Sequence, residues 1–250
     1  MKYLLPILLL LFVAPSFADL NSENKVVKKV KIQILAEDLY PLHYIKKGKV
    51  VGSSVDLIKK IMTEAKLDYE IKIQPWARIY QIAQHKKNIL LLSISRIEER
   101  EALFAWIGRT MKIKYSLYSI SDTKIDADIP LKNLDEYRIA IIRESAIDQF
   151  LAAKGLHNFQ LISTYPQSIK MLLAHRVDLV SGVSQFFIKN CVRLQLNCQP
   201  IKAVYQFKKP SSSIFIAMSK VTDNNIIKRI QIAYNKVTQN KPNILNNLIP

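Results

Sequence analysis

Ile89-Leu90-Leu91-Leu92-Ser93-Ile94-Ser95 is the stretch on which the reading of the whole chain turns. Its apolar run, Ile89 to Ile94, lacks the alternation of a half-exposed strand. Such a run is expected of a strand buried on both faces, which occurs where helices cover both sides of a parallel sheet. Upstream, Val30 to Leu35 alternates as a strand. Ser53 or Ser54 can cap a helix with an apolar stripe of Leu57, Ile58, Ile61, Met62 and Ala65. Tyr69 to Gln74 alternates again, Pro75 breaks it, and Ala77 to Gln84 reads as a short helix. A polar turn and a helix from about Ile97 are expected downstream.

The same pattern restarts near residue 137. Arg138 to Ile142 reads as a strand, Ala146 to Ala153 as a helix with Gly155 just beyond it, and Leu161-Ile162 as a short strand. Gln167 to Ala174 is a second helix and Val177 to Val180 a further strand. Two successive β-α-β-α-β units imply an α/β fold in two lobes. Lys112 to Ser121 separates the units and is itself strand-like. Ser211 to Met218 is another long strand, followed by an amphipathic helix from Asn225 to Val237. A strand on each side of the second unit would carry the chain across and back. The expected division is a leader over residues 1–18, lobe one from 19–112 with 208–250, and lobe two from 113–207, hinged near 112 and 208.

The leader is read from Lys2, the apolar Leu4 to Val13 and the small residues of Ser16-Phe17-Ala18, the pattern of a cleaved secretory signal. The apolar run is short for a membrane span and Pro15 ends it; an uncleaved anchor is the alternative. Position 19 is Asp rather than Cys, so no lipid anchor is expected there, and the polar stretch Asn21 to Lys29 is expected to be disordered. The formal net charge is +17. The lysines are scattered, in short clusters such as Lys28-Lys29 and Lys46-Lys47, with no basic helix interleaved with aromatics. A solvated cationic surface is therefore expected in place of a nucleic-acid site. Cys191 and Cys198 are the two cysteines; in an oxidising compartment a close pair reads as a disulfide. No His lies near them in sequence, which disfavours a metal, and a pair of buried thiols is the alternative.

Several motifs, taken in order, resemble the type-II periplasmic solute-binding proteins that serve polar amino-acid transporters. They are Glu37-Asp38-Leu39-Tyr40-Pro41-Leu42-His43-Tyr44, Gly52-Ser53-Ser54-Val55-Asp56-Leu57 and Pro75-Trp76-Ala77-Arg78. Next comes Ser93-Ile94-Ser95-Arg96-Ile97-Glu98-Glu99-Arg100-Glu101, leading to Phe104-Ala105-Trp106-Ile107-Gly108. Arg143-Glu144-Ser145 and Arg176-Val177-Asp178 follow. The resemblance spans essentially the whole chain after the leader, and its Pro-Trp-Ala-Arg and Ser-Arg-x-x-Glu-Arg forms are those of a stand-alone branch. It implies a two-lobed fold with two hinge-crossing strands and a ligand held between the lobes. It implies that Arg100 grips a ligand carboxylate with its planar fork, assisted by Ser93 and Ser95. Tyr40 matches an aromatic that packs on ligand, and Trp76 would wall the same cleft. Arg78 is a second candidate cation, and Ser145 with Glu144 occupies the start of the lobe-two helix. For Arg100 the alternative is a solvated residue paired with Glu98 or Glu101; for Tyr40 and Trp76 it is core packing. If Arg100 faces a wet cleft, folding should not depend on it.

The departures bear on the ligand. Relatives place a Gly-Ser/Thr-Thr turn where this chain has Glu144-Ser145-Ala146. They place an acid for the ligand ammonium where it has Gly182-Val183-Ser184-Gln185. A buried ammonium without a counter-charge is costly, so within the small, amino-acid-like carboxylates that the resemblance implies, the ligand is expected to lack a standard amino group, or to be something else. The expected protein is a periplasmic monomer with no cofactor that catalyses nothing. It would pass its ligand to an inner-membrane ABC permease or a sensor kinase. The competing reading is a lyase on the same scaffold, resembling dehydratases of cyclic amino-acid precursors (cyclohexadienyl-dehydratase-like), with Glu144, Glu37 or Asp178 as acids. A cleft acid with a strongly raised pKa would favour the lyase, and a cleft of fixed donors the binder. His43 and His175 are isolated and read as structural.

Overall fold

The computed structural model describes residues 30–120, 130–210 and 213–239. The leader expected over 1–18 and the polar segment Asn21 to Lys29 lie outside them. In chain order the first part holds β1 (Lys31–Ala36), a hairpin of β2 (Tyr44–Lys46) and β3 (Lys49–Val51), and α1 (Ser53–Ala65). β4 (Asp68–Ile73), α2 (Trp76–His85), β5 (Ile89–Ser95) and β6 (Phe104–Lys112) complete it. The second part holds β7 (Tyr115–Ile120), β8 (Ile139–Ile142), α3 (Ala146–Ala152), β9 (Gln160–Ile162) and α4 (Tyr165–Leu173). It continues through β10 (Leu179–Val183), α5 (Ser184–Arg193) and β11 (Ile201–Gln206). β12 (Ser213–Ser219) and α6 (Asn224–Gln239) close the chain.

Two five-stranded sheets result, ordered β4-β1-β5-β12-β6 and β11-β7-β10-β8-β9. Each joins three parallel strands to an antiparallel pair. The fold is therefore α/β and two-lobed. The pairs are the strands that change lobe. The chain leaves the first sheet after Lys112 and enters the second at Tyr115, and it leaves β11 at Gln206 and re-enters the first sheet at Ser213. All seven residues of β5 are buried, in the middle of the first sheet. α6 packs on α1 and β6, which places the C-terminal helix on lobe one.

Two local expectations are corrected, and one helix is added. No helix starts at Ile97; a single 3-10 turn, Glu98–Arg100, leads straight into β6. The aromatic and β-branched residues of Phe104 to Thr110 suit a strand paired along β12. Gly52, and neither Ser53 nor Ser54, holds the N-cap position of α1, at φ 129°. A side chain at Gly52 would meet the Leu42 carbonyl oxygen at 2.3 Å, so the site needs glycine for space as well as for φ. Finally, α5, which the sequence reading left unassigned, runs from Ser184 and buries Phe186, Phe187, Asn190 and Cys191. Cys191 and Cys198 form a disulfide at its C-terminal end, with Cα atoms 6.1 Å apart.

Candidate functional site

Parallel strands deliver the residues that follow their carboxyl ends to one edge of a sheet, and the two lobes turn these edges toward each other. Glu37 follows β1, Ser95 ends β5, Ser145 follows β8, and Val183 ends β10. All four line a cavity between the lobes, together with Leu39, Trp76, Ser93, Arg100, Tyr115, Tyr165 and Phe186 among others. The lobes are close together. The centre of a water molecule fits within only about 40 Å³ of the gap, room for a few waters.

Arg100 dominates this cavity. It is 1 % exposed and the largest fully buried side chain among the described residues. The 3-10 turn swings it back under β5, where Nη1 donates to Ser95 O at 3.2 Å. Its other contacts cross to lobe two: Nη2 donates to Glu144 O at 2.8 Å and Nε to Gln149 Oε1 at 2.9 Å. The guanidinium carbon lies 5.2 Å from the ring centre of Trp76 and 4.9 Å from that of Tyr80, within cation–π range. Burial lowers its pKa, partly offset by Tyr80, Tyr115 and the Glu144 carboxylate. No carboxylate forms an ion pair with Arg100 among the described residues. Arg96, by contrast, pairs with Glu101 and stacks on Trp106 and Phe215 at the surface.

Glu37 is the one acid lining the cavity. Part of its surface is open to that small space, but protein surrounds it. Burial pushes its pKa up to about 8, helped by neighbouring Asp38 and opposed by Arg100. At neutral pH it is a protonated carboxyl. Its carbonyl receives a hydrogen bond from His43 Nδ1 at 2.6 Å. His43 is fully buried and its pKa is lowered to about 4 by that burial. The neutral ring therefore carries its proton on Nδ1, since a carbonyl can only accept.

The remaining polar lining divides into committed and uncommitted groups. Ser95 Oγ and Tyr115 Oη are bonded to each other at 2.6 Å. Ser145 Oγ accepts from Asp148 N and caps α3. Ser93 Oγ is buried and has no hydrogen-bond partner among the described residues.

Of the eight side chains named from sequence, the cavity brings together Arg100, Ser93, Ser95, Trp76 and Ser145. Trp76 Nε1 donates across the cleft to Glu144 O at 2.6 Å. Glu144 takes part through its backbone. Its φ is 60°, its carbonyl receives both Trp76 and Arg100, and its carboxylate accepts from Gln149 Nε2. Tyr40 does not line the cavity; its ring packs edge-on against Tyr44 and under Arg193. Arg78 is exposed on α2. Sequence reading missed Tyr115, Tyr165, Phe186 and Gln149, and weighed Glu37 only as a catalytic acid. Glu37 had a usable signal, standing immediately after the first strand. Tyr165 and Phe186 lie on helices whose packing depends on contacts distant in sequence. Among the described residues no group of His, Cys, Asp and Glu could hold a metal ion, and no helix is long and apolar enough to cross a membrane.

Residues 32–246 match the family described as bacterial extracellular solute-binding proteins, family 3. No curated protein matches the sequence. Among solved structures the chain is similar to a histidine kinase sensor domain with similarity to periplasmic binding proteins. That match has a TM-score of 0.76 and 16% identity, covering 87% of this chain and 93% of that one. It is similar to a mutant of ArgBP from T. maritima, at TM-score 0.73 and 16% identity over 88% and 93% of the two chains. It is also similar to the amino acid ABC transporter substrate-binding protein AbpA from Streptococcus pneumoniae, solved with L-arginine bound. There the TM-score is 0.71 and the identity 21%, over 88% and 92% of the two chains. At these identities the likeness speaks for the fold.

Proposed function

This chain belongs to the bacterial extracellular solute-binding proteins of family 3, and from that premise we propose that it is a periplasmic binding protein, exported by residues 1–18, that closes on a small, amino-acid-like carboxylate. The closing bodies are residues 19–112 with 208–250, and residues 113–207. The captured ligand passes to an inner-membrane ABC permease or signals through a sensor kinase.

One observation carries the reading. Arg100 is a buried cation whose hydrogen-bond partners in the cavity are neutral oxygens; Glu37 in the lining holds its proton at neutral pH, and the Glu144 carboxylate, bonded to Gln149, acts on Arg100 only through space. A buried charge with no carboxylate bonded directly to it is costly. A ligand carboxylate supplies the missing anion, and a guanidinium fork binds it in two places at once. Opening the lobes releases Nη2 and Nε from Glu144 and Gln149, which readies those donors for the incoming acid. Ser93 Oγ supplies a further uncommitted contact, and Trp76 an apolar wall.

Glu37 also supports a second reading. A carboxyl that keeps its proton near neutrality in a nearly dry cavity is suited to general-acid chemistry. That is the feature named above as favouring a lyase of the cyclohexadienyl-dehydratase type. One experiment separates the two. Native mass spectrometry of protein taken from the periplasm without refolding identifies a retained small acid. That compound is then incubated with a hundredth of an equivalent of protein and followed by NMR. Retention of an unchanged carboxylate in 1:1 ratio supports capture. Conversion well beyond one turnover, lost in Glu37→Gln, establishes the lyase. A retained molecule with no anionic group would overturn the carboxylate reading.

A further inference from the structure

The lobes also meet beside the cavity, through side chains that do not line it. Asn190 and Arg193 stand three residues apart on α5, so they share one face of that helix. That face meets the segment leaving β1 of lobe one. Arg193 Nη2 donates to Asp38 Oδ2 at 3.1 Å and lies 3.1 Å from Oδ1. It also donates to Asn190 Oδ1 at 3.2 Å. Its guanidinium carbon sits 5.5 Å from the ring centre of Tyr40 and 6.0 Å from that of Tyr44. Asn190 Nδ2 donates to Tyr40 O of lobe one at 3.2 Å and to Phe186 O of its own helix at 3.1 Å. Neither Asn190 nor Arg193 lines the cavity.

We propose that Asn190 and Arg193 form a closure latch: positioning residues that hold the two lobes together through Asp38 and Tyr40 whether or not the cavity is filled. The argument begins with Asn190, which is 1 % exposed. A buried amide is tolerated only when its donors and acceptor are matched. Here the acceptor is taken by Arg193 and the donors by two carbonyls, one from each lobe. That full set exists only with the lobes closed. Arg193 follows the same logic. Its side chain is 21% exposed, and its charge is met by a carboxylate and two aromatic faces, all of them on lobe one. Opening strips these partners away together.

The other interlobe contacts behave differently. Arg100 and Trp76 reach Glu144 and Gln149 from inside the cavity, so a ligand acting on Arg100 competes with them. The latch has no such competitor. Cys191 lies between the two latch residues, and its bond to Cys198 ties the last turn of α5 to the loop that follows. The latch face is thus anchored covalently at its base. The inference leans on the capture reading only in taking the cleft as the ligand's entrance.

The test contains no ligand, so its failure would leave the capture reading standing. Spin labels on α1 and α4 report the interlobe distance distribution of the purified full-length protein. Arg193→Met and Asp38→Asn should each move the open-to-closed ratio about tenfold toward open, the scale of losing one charged hydrogen bond at a partly exposed contact. The double variant should go little further, because the two side chains act on the same contact. Arg193→Lys, which keeps the charge but not the fork, should fall between. Asn190→Leu should also open the lobes; if it fails to fold, the isosteric Asp38→Asn decides. An unchanged distance distribution in Arg193→Met and Asp38→Asn, with wild-type melting, would overturn the latch. So would additive effects in the double variant.

Discussion

The two walls of the cavity are built from different chemistry. Lobe one supplies the acid and the cation of the lining, Glu37 and Arg100, with Ser93 and Ser95 beside them. Lobe two supplies Ile142, Ser145, Ala146, Tyr165, Val183 and Phe186, none of them charged at neutral pH. Its polar contribution to Arg100 is a backbone carbonyl and one amide. The difference teaches how such a cleft can close while nearly dry. Two facing charged walls would have to match ion for ion or pay desolvation twice. A wall of carbonyls, hydroxyls and rings accepts a single buried cation without that demand. On the capture proposal, lobe one would engage an anion alone and lobe two would enclose it.

The largest expected effect tests the titratable half of that wall. Glu37 has its folded pKa raised from 4.5 to about 8. Below pH 4.5 both folded and unfolded chains hold the proton, and the group contributes nothing to any change. Between pH 4.5 and about 8 the unfolded chain releases it while the folded chain keeps it, so stability falls as pH rises through this window and levels off above it. Realised in full, the shift amounts to at most about 5 kcal/mol. Glu37→Gln removes this slope. His43 has the opposite sign, its contribution being present above 6.5 and lost as pH falls toward 4, but it titrates in both proteins. The difference between the two melting curves at pH 5, 7 and 9 thus isolates Glu37. Parallel curves would show that the carboxyl is solvated and the wall is not dry.

Arg100 tests the cationic half. Arg100→Ala should cost the ligand about 2–5 kcal/mol, or 30- to several-thousandfold in affinity. The expectation that folding would be indifferent to this residue concerned a wet, open cleft; in the closed form Arg100 is buried. The side chain fills space against Trp76 and Tyr80, so the alanine variant should also melt lower. Arg100→Lys separates the two roles. It retains the stem and the charge, hence much of the stability, but it cannot reproduce the fork. Calorimetric titration with the recovered ligand, run beside thermal melts, reads both. Wild-type affinity in Arg100→Lys would mean that the fork is not used.

What could be read from sequence follows the same division. The apolar run of β5 and the Ser-Arg-x-x-Glu-Arg stretch after it are local, and they led directly to Ser93, Ser95 and Arg100. The lobe-two wall was mostly illegible. Tyr165 and Phe186 are unremarkable in composition, and they reach the cavity because α4 and α5 pack on β10. Glu144 was legible as a residue but not as a group: its side chain suggested an acid, whereas its φ of 60° turns the carbonyl to the task. Backbone roles leave little trace in residue type. Tyr40 matched a motif but is turned toward Tyr44 and Arg193, because α5 stands where sequence reading saw no helix.

A covalent feature distinguishes lobe two, and it gives the next smaller effect. The Cys191–Cys198 bond spans seven positions of sequence. Closing so short a loop limits the unfolded chain modestly, so Cys191→Ser with Cys198→Ser should cost about 2–3 kcal/mol. Thermal melting should fall by about 5–10 °C for a chain of this size. Two free thiols on titration of unreduced protein would contradict the pairing.

The smallest effect sets one serine from each wall against the other. Ser93 Oγ, on lobe one, is buried without a partner, while Ser145 Oγ, on lobe two, accepts from Asp148 N at 3.2 Å and caps α3. Removing an unmatched hydroxyl deletes a desolvated group that gains nothing in the empty cavity. Ser93→Ala should therefore leave the ligand-free protein as stable as before, or slightly more so. If that hydroxyl waits for the ligand, the same change should lower affinity by about 0.5–1.5 kcal/mol, roughly two- to tenfold. Ser145→Ala should show the reverse profile. Loss of the cap costs about 1 kcal/mol of stability, while the ligand, finding a hydroxyl already committed to α3, should lose little. Melting and titration of the two variants side by side give four numbers whose pattern matters more than their size. Equal affinity losses in both would mean that lobe two's serine leaves its cap to meet the ligand, and the neutral wall is then less passive than its empty geometry.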